Sequence, residues 1–381
     1  MRFLHTADWH LGRIFYNLHL TEDQAFVLEQ FVDLVKDTKP DAVIIAGDVY
    51  DRSVPPPEAV KLLGEFLARV AVDSSVPIIM IAGNHDSPER LGFGDRVLAR
   101  QRLHVIGQVV DKAAPIVLED KYGPVYFCPI PYAEPAVVRE RTGETVTNHG
   151  EALELLLGQM DQIVPPACRR VAVAHAYVGG GEASESERPL SIGGMATVET
   201  GMFQPFNYVA LGHLHQAQTV GLPQVRYSGS LLKYSFSEAD HRKSVSLVEL
   251  DAAGKATVEP ISLRPRRDVR CIQGYLADVL AAAAADKQAD DYLMVTLKDS
   301  GALLDPMAKL RQVYPNVLHF ERSYLEVATA ITTNRIDHRR QEERELFADF
   351  FAQVTGQSLS GGESAVLDKL LTDFNRRERE G

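Results

Sequence analysis

The chain opens on an apolar run that ends in polar side chains: residues 1–10 read MRFLHTADWH, with Asp8 and His10 directly after MRFLHTA. The same order returns at AVIIAGD, residues 42–48, which ends in Asp48, and at PIIMIAGNH, residues 77–85. Short apolar runs bounded by turns are typical of buried β-strands. The pattern therefore predicts strands that are each followed by a polar side chain.

Two later stretches repeat this pattern. VAVAH, residues 171–175, ends in His175, and NYVALGHLH, residues 207–215, ends in His213 and His215. Between the earlier runs, residues 22–38 and 57–72 carry apolar positions at helical spacing. The alternation of strand and helix predicts an α/β sheet layered with helices, and the β-rich segment 225–263 is expected to complete that sheet as a hairpin.

Composition places the chain among folded soluble proteins. Apolar residues make up 45% and charged residues 24%, both near the averages of soluble globular proteins. The length of 381 residues predicts two or three units. The sequence contains neither an apolar run of about 18 residues nor a signal peptide, so we expect a cytoplasmic protein without a membrane partner. The three cysteines lie far apart and outside any C-x-x-C pattern, which argues against disulfides and a cysteine zinc site.

The chain divides into three expected parts. Residues 1–263 form the first, and a basic cluster, RPRRDVR, opens a small α/β unit over 264–330. The last part, 331–381, is a linker with two amphipathic helices, expected at 341–353 and 363–375. These helices must cover their apolar faces, and the sequence leaves open whether they do so on the chain itself or on a partner.

The polar residues after the strands form a candidate metal site. Parallel α/β sheets place their sites at the carboxyl ends of the strands, where all of these residues stand. Each motif alone is weak evidence, because Asp and His often cap turns, but five in succession rarely coincide. The eight candidate residues are Asp8, His10, Asp48, Asn84, His85, His175, His213 and His215.

The ligand types select the metal. Imidazole and oxygen ligands without thiolate favour Mn²⁺, Fe²⁺ or Zn²⁺ over Mg²⁺ or Ca²⁺. The ligands are too many for one tetrahedral ion, so two divalent ions are expected. Asp48, which follows Gly47, is the best candidate for a carboxylate that bridges them. The net charge of −12 argues by itself against a polyanionic substrate. Bound divalent cations would, however, make the charge at the site positive.

These motifs resemble a known family. D-W-H, G-D-V-Y-D, G-N-H-D, the lone His175 and G-H-L-H look like the five signature blocks of the calcineurin-like metallophosphoesterases, in order. Within that superfamily, HTADWHLG at 5–12 and DRSVPP at 51–56 resemble the SbcD family of bacterial nuclease subunits. The resemblance implies a β-sandwich flanked by helices, a small α/β capping domain that binds DNA, and a C-terminal helical segment that binds a partner.

The resemblance also implies roles for the candidate residues. His85 would be the catalytic acid that protonates the leaving oxygen. Asp86 beside it is either the residue that orients His85 or a helix cap, and the role of Asp51 is equally open. The seven others would be ligands: Asp8, His10, Asp48 and His215 for one ion, and Asp48, Asn84, His175 and His213 for the other.

The function implied by the resemblance is that of a DNA nuclease subunit. It would use Mn²⁺, with Mg²⁺ or Fe²⁺ possible, as a 3′-to-5′ exonuclease on double strands and an endonuclease on single strands in DNA repair, recombination and hairpin cleavage. The partner would be a coiled-coil ATPase of the SbcC type, with two copies of this chain in a heterotetramer. YVGGG at 177–181 lacks a following G-K-[ST], so the chain has no visible ATPase site of its own.

Two other functions compete with this one. The first is a phosphatase of phosphoprotein or nucleotide substrates, because Asp51 and Arg52 are similar to the G-D-x-V-D-R block of protein phosphatases. Against it, Asp86 stands where those phosphatases carry Glu. The second is a non-catalytic adaptor whose tail helices bind a partner, and the intact set of candidate ligands argues against it.

Overall fold

The computed structural model of the chain describes residues 1–187, 197–300, 303–323, 347–348, 351–352 and 355–380, with side chains up to residue 371. The chain separates into two compact units, Met1–Val269 and Arg270–Gly381. In the part that is described, no helix is both long and apolar enough to cross a membrane. The division of the chain at 263 and 330 stays a prediction.

The first unit contains two six-stranded sheets. Its strands, in chain order, are β1 (Arg2–Thr6), β2 (Ile14–Phe15), β3 (Leu18–His19), β4 (Ala42–Ala46), β5 (Ile78–Ile81), β6 (Leu103–Ile106), β7 (Ile116–Asp120), β8 (Gly123–Ile130), β9 (Arg169–His175), β10 (Tyr177–Val178), β11 (Thr197–Val198), β12 (Tyr208–Gly212), β13 (Gln218–Thr219), β14 (Val225–Tyr227), β15 (Ser244–Leu250) and β16 (Ala256–Ser262). Its helices are α1 (Thr21–Thr38), α2 (Pro57–Leu67, continued by a π-helical segment Ala68–Asp73), α3 (Pro88–Leu91), α4 (Asp95–Leu98), α5 (Pro135–Thr142) and α6 (His149–Asp161).

The strand order brings the ends of sequence-distant strands together. The first sheet has the order β16-β15-β1-β4-β5-β6 and the second β13-β14-β12-β9-β8-β7. In the first sheet, β1, β4 and β5 are parallel neighbours. In the second, β9 and β12 are parallel neighbours. Since parallel strands share one carboxyl edge, the residues that follow these five strands gather at two sheet edges.

The two sheets pack face to face around one apolar core. Phe3 and Ile44 of the first sheet share this core with Phe127 and Tyr208 of the second. The rings of Phe3 and Phe127 meet edge to face with centroids 5.8 Å apart. The β-sandwich implied by the family resemblance is therefore confirmed, whereas the single sheet predicted from the strand pattern is wrong. Apolar runs indicate that a strand is buried, but not which strands pair with it.

Helices cover the outer faces of the sandwich. Phe31 of α1 and Phe66 of α2 contact the ring of Trp9, with a centroid distance of 4.9 Å between Trp9 and Phe66. On the second sheet, Leu153 and Leu156 of α6 belong to the core cluster. The helix α1 ends where Lys39 adopts a left-handed conformation before Pro40, which cannot continue a helix.

The hairpin expected at 225–263 is confirmed in its second half. β15 and β16 pair antiparallel, and β15 extends the first sheet beside β1. Strands β6 to β8 and helices α5 and α6 were not predicted. The alternating burial of β6 and β7 shows why: half of their side chains face away from the core, so no continuous apolar run marks them.

The second unit contains strand, helix, strand, helix and strand in that order, which agrees with the small α/β unit predicted after the basic cluster. It has a three-stranded sheet, and Leu276, Leu293, Leu310 and Val317 belong to its own core. The helix predicted at 363–375 is present and longer, whereas the one predicted at 341–353 lies mostly outside the described residues. The elements are β17 (Val269–Gly274), α7 (Leu276–Ala282), β18 (Tyr292–Leu297), α8 (Pro306–Val313), β19 (Val317–Arg322) and α9 (Gly361–Glu380).

Candidate metal centre

The candidate residues meet where the carboxyl edges of the two sheets face each other. One group of buried side chains is Asp8, His10 and His215, whose ligand atoms all lie within 4.8 Å of one another. His10 Nε2 and His215 Nε2 are 3.1 Å apart. Asp8 and His10 follow β1 of the first sheet, and His215 follows β12 of the second.

A second buried group lies beside the first. Its ligand atoms come from Asp8, Asp48 and His175, again within 4.8 Å. His175 Nε2 is also 3.0 Å from Oδ1 of Asn84. Asp48 Oδ2 lies 3.7 Å from His10 Nε2 and 3.4 Å from His175 Nε2. The same oxygen of Asp48 therefore faces one histidine of each group, as a bridging ligand would.

His213 lies beside the two groups of candidate ligands and not within either of them. Its ring contacts that of His175 with a centroid distance of 5.5 Å, but among the described residues it belongs to neither group of close ligand atoms. Its backbone N–H donates to Asp8 Oδ1 at 2.9 Å. Burial lowers the pKa of His213 to about 3, so the ring is neutral at ordinary pH. The backbone of His213 thus positions Asp8, and its neutral ring can still act as a ligand.

The backbone is strained at this centre. Asp8, His10 and Asp48 have φ values of 54°, 46° and 48°. Such left-handed conformations cost free energy in residues other than glycine and persist where the surrounding structure holds them. Backbone hydrogen bonds stabilise these conformations: Asp8 N–H donates to Gly47 O at 3.1 Å, and His10 N–H donates to Asp48 O at 3.0 Å.

Two glycines allow the sheets to approach so closely. A Cβ atom on Gly47 would collide with the ring of His175, and one on Gly212 would collide with the backbone oxygen of Ala46. Gly47 also has a φ of 91°. These positions need glycine because the opposite sheet occupies the space of a side chain.

The histidine tautomers suit metal binding. His175 Nδ1 lies 2.9 Å from Ala46 O, and His85 Nδ1 lies 2.8 Å from Asp51 O. A carbonyl oxygen only accepts hydrogen bonds, so in both rings Nδ1 carries a proton and Nε2 is the nitrogen that faces the site. Burial opposes it, but the carboxylates of Asp48 and Asp8 raise the pKa of His175 to about 9, so Nε2 of His175 would release a proton on binding a cation. In His175 that nitrogen faces Asp48 and Asn84.

The residues present fit divalent cations. Burial raises the pKa of Asp8 well above its usual value and lowers that of His10 well below it. His10 Nδ1 is buried with no hydrogen-bond partner among the described atoms. Buried carboxylates and imidazole nitrogens that face one another need a proton or a cation between them. The donor set of nitrogen and oxygen without sulfur is one that Mn²⁺, Fe²⁺ and Zn²⁺ accept.

His85 lies at the rim of the centre. It is half-buried, and its ring stacks edge to face on His10 at 4.7 Å. His10, Asp51 and His85 form a third group of close ligand atoms. Arg13 Nη1 donates to Asp51 Oδ1 at 2.8 Å, so the carboxylate of Asp51 already has a cationic partner. His85 is thus held by the backbone of residue 51 while its ring reaches the edge of the site.

The expectation for Asp86 is wrong in both its forms. Its carboxylate accepts hydrogen bonds from the backbone N–H groups of Val49, Tyr50 and Gly83 at 2.9–3.1 Å. It therefore ties the loop after β4 to the loop after β5, and it neither orients His85 nor caps a helix. The sequence could not reveal this, because both alternatives assumed local partners and the actual ones come partly from a different strand.

Sequence reasoning also missed Gln24. Its Nε2 donates to the backbone oxygens of Trp9 and His10 at 3.1 and 2.8 Å, and its Oε1 accepts from Gly12 N–H at 3.0 Å. Gln24 is fully buried and fixes the loop that carries Asp8 and His10. The available signal was a polar residue on the apolar face of α1, which usually indicates a bonded partner.

Comparison with known proteins identifies the class. The calcineurin-like phosphoesterase family matches residues 1–217, and a family described as type 5 capsule protein repressor C-terminal domain matches residues 265–355. A solved structure of a Thermus thermophilus protein is similar at 16% identity, covering 68% of this chain and 98% of that one, with a TM-score of 0.38. The chain belongs to the calcineurin-like phosphoesterases, a family of metal-dependent hydrolytic enzymes.

Two curated relatives show to which group of phosphoesterases the chain belongs. The SbcD subunit of the SbcCD nuclease from Staphylococcus saprophyticus is 34% identical over 376 residues, which is 98% of each chain. The protein of the same name from Staphylococcus epidermidis is 32% identical over 379 residues, covering 99% of this chain and all of that one. Within the phosphoesterases, the chain belongs to the family of SbcD nuclease subunits.

Proposed function

We propose that this chain is a two-metal DNA nuclease subunit that uses Mn²⁺. Its activities would be 3′-to-5′ exonuclease action on double strands and endonuclease action on single strands. The observation that carries the proposal is the convergence of His10 and His215, and of Asp48 and His175, from two different sheets. Membership in a family of nuclease subunits supports phosphodiesters as the substrate class.

The ligand roles divide between two ions. Asp8, His10 and His215 would hold the first, and Asn84, His175 and His213 the second. Asp48 would contact both, as its position between His10 and His175 suggests. When bound, two divalent ions lower the pKa of a water and neutralise charge on the phosphate. The chain itself then has to orient the substrate and protonate the leaving group.

His85 would supply that proton. Its Nδ1 is fixed by the backbone oxygen of Asp51, which leaves Nε2 as the atom that can carry a proton towards the rim of the site. A positioned general acid contributes about 10²- to 10⁴-fold to a rate. His85 is not needed to hold an ion, so its role can be separated from those of the ligands.

The partner would be a coiled-coil ATPase of the SbcC type, within a heterotetramer that contains two copies of this chain. The relatives carry the name of one subunit of the SbcCD nuclease. The tail, residues 331–381, would bind the partner through its amphipathic helices. Removal of residues 337–381 should abolish the complex and leave metal-dependent cleavage intact, and a complex that survives the truncation would contradict this assignment.

Substrate preference tests the main proposal. The purified chain should be incubated with a 5′-labelled DNA duplex and, in parallel, with a phosphopeptide, each with Mn²⁺ and with a chelator. We expect nucleotide release from the duplex only with metal. Faster turnover of the phosphopeptide would instead favour a phosphatase. Elemental analysis of the same sample would give the bound metal and its ratio to protein.

A further inference from the structure

His215 is held both at its backbone and at its ring. Its backbone N–H donates to Glu187 Oε1 at 2.7 Å. Its backbone oxygen accepts from Lys243 Nζ at 2.8 Å and from Ser230 N–H at 3.1 Å. Its Nδ1 lies 2.8 Å from Ser186 Oγ. These bonds leave the ring of His215 little freedom to turn.

Behind this histidine lies a buried ion pair. The carboxylate of Glu238 is fully buried and forms a short contact with Lys243 Nζ, whose side chain is 6% exposed. The other carboxylate oxygen of Glu238 accepts from the hydroxyl of Ser186 and lies 3.2 Å from His215 Nδ1. A buried ion pair is costly to maintain, and removal of one partner leaves an uncompensated charge.

The hydrogen bonds that join His215, Ser186 and Glu238 have fixed donors and acceptors. Glu238 can only accept while it is charged, so the hydroxyl proton of Ser186 points to it. The lone pairs of that hydroxyl then face His215 Nδ1, which must be the donor. The ring is thereby kept as the Nδ1–H tautomer, and Nε2 is left unprotonated where it faces His10.

We propose that Glu238 and Lys243 are positioning residues that set the affinity of the ion held by Asp8, His10 and His215. Glu238 fixes the ring tautomer of His215 directly and through Ser186, and Lys243 balances the charge of Glu238 and holds the backbone of His215. Carboxylates behind a metal-binding histidine raise its basicity and fix its orientation. This inference rests on the proposed two-metal function.

The test uses the full-length, metal-free chain and Mn²⁺ as the probe. The double variant Glu238→Gln/Lys243→Met removes both charges of the pair together. A matched control is Asp120→Asn/Arg169→Met, because these side chains form another buried ion pair, each 7% exposed, whose further bonds include the amino terminus and the backbone oxygen of Gly123. Binding is followed by calorimetry and by electron paramagnetic resonance of free Mn²⁺, and apo stability by thermal unfolding.

In the double variant we expect one Mn²⁺ to bind about 10- to 100-fold more weakly, with the other little changed. The control should lose thermal stability and keep both affinities. Unchanged Mn²⁺ binding in the folded double variant would overturn the positioning role, as would equal weakening in the control. If the unaltered chain binds no Mn²⁺ at all, the proposed function itself fails and takes this inference with it.

A second measurement does not depend on how the variants fold. Nitrogen NMR of the ¹⁵N-histidine-labelled, metal-free native chain reports which ring nitrogen of His215 carries the proton. The expected signal is that of a protonated Nδ1 and an unprotonated Nε2. A protonated Nε2 would contradict the proposal even if the site still bound metal.

Discussion

His10 Nε2 and His215 Nε2 lie 3.1 Å apart, although the two residues are 205 positions apart in the chain. They stand at the ends of strands in different sheets, and both side chains are buried. At this distance one of the two ring nitrogens carries a proton and donates it to the other, and the bonds behind His215 hold its ring in place. A cation held by both rings would take the place of that proton.

His85→Ala should separate metal binding from cleavage. We expect the variant to bind Mn²⁺ as the unaltered chain does and to lose about 10²- to 10⁴-fold in cleavage rate, because the ring would act only as a general acid. Metal content and cleavage of a labelled duplex should be measured on the same sample. His104→Ala, at a half-buried histidine on β6, is the control. Normal cleavage by His85→Ala would refute the role.

Asp48→Asn should affect both ions, whereas His215→Asn should affect one. An amide lacks the negative charge that would hold two cations together, so the first variant should retain little of either. The second variant should keep the ion beside His175, about one per chain. Equilibrium dialysis with elemental analysis distinguishes the two outcomes. Retention of both ions by Asp48→Asn would exclude it as the bridge.

Gly212→Ala should destabilise the sandwich. The new methyl group would meet the backbone oxygen of Ala46 in the opposite sheet, and overpacking of this kind costs about 1–3 kcal/mol. Gly158→Ala is the matched control, since nothing lies within 4 Å of its Cβ position in the helix α6. We expect that control to be stabilised by about 0.5–1 kcal/mol. Urea unfolding measures both, and equal effects would argue against a backbone contact between the sheets.

His5 should make stability depend on pH. Burial lowers the pKa of His5 to about 3 from its usual 6.5, while its ring bonds Tyr208 and the backbone oxygen of Leu211. Below pH 6.5 His5 binds a proton in the unfolded chain but stays neutral in the folded chain. The free energy of unfolding therefore falls with pH from about 6.5 towards 3, by at most ~1.4 kcal/mol per pH unit.

The variant His5→Gln isolates this effect. It should be less stable than the unaltered chain at pH 7, and the difference should shrink as the pH falls, because glutamine does not titrate. Urea unfolding at several pH values between about 4 and 7 gives the comparison. His19→Gln, at an exposed position, should follow the unaltered chain throughout. A constant difference between His5→Gln and the unaltered chain would show that the pKa of His5 is the same in the folded and unfolded states.

Much of the site could be predicted because its residues follow recognisable strands. Asp8, Asp48 and His175 each come after an apolar run. They therefore lie at the end of a strand however the strands are arranged into sheets. Asp86 and Gln24 could not be assigned correctly, since the first was expected to have only local partners and the second has partners in a loop outside its own helix. Strands β6 and β7 were not predicted because β6 buries only alternate side chains and β7 alternates between half-buried and exposed ones.

The sequence by itself determined the element order at the start of the chain, the chemistry of the candidate ligands and the family, since these depend on local periodicity and on which side chains follow each strand. Only the tertiary structure decided that there are two sheets, and that His10 and His215 meet between them. The reason is physical: the pairing of strands and the packing of sheets are set by contacts between distant segments. The same holds for Glu238 and Lys243, whose relation to His215 exists only once the chain has folded.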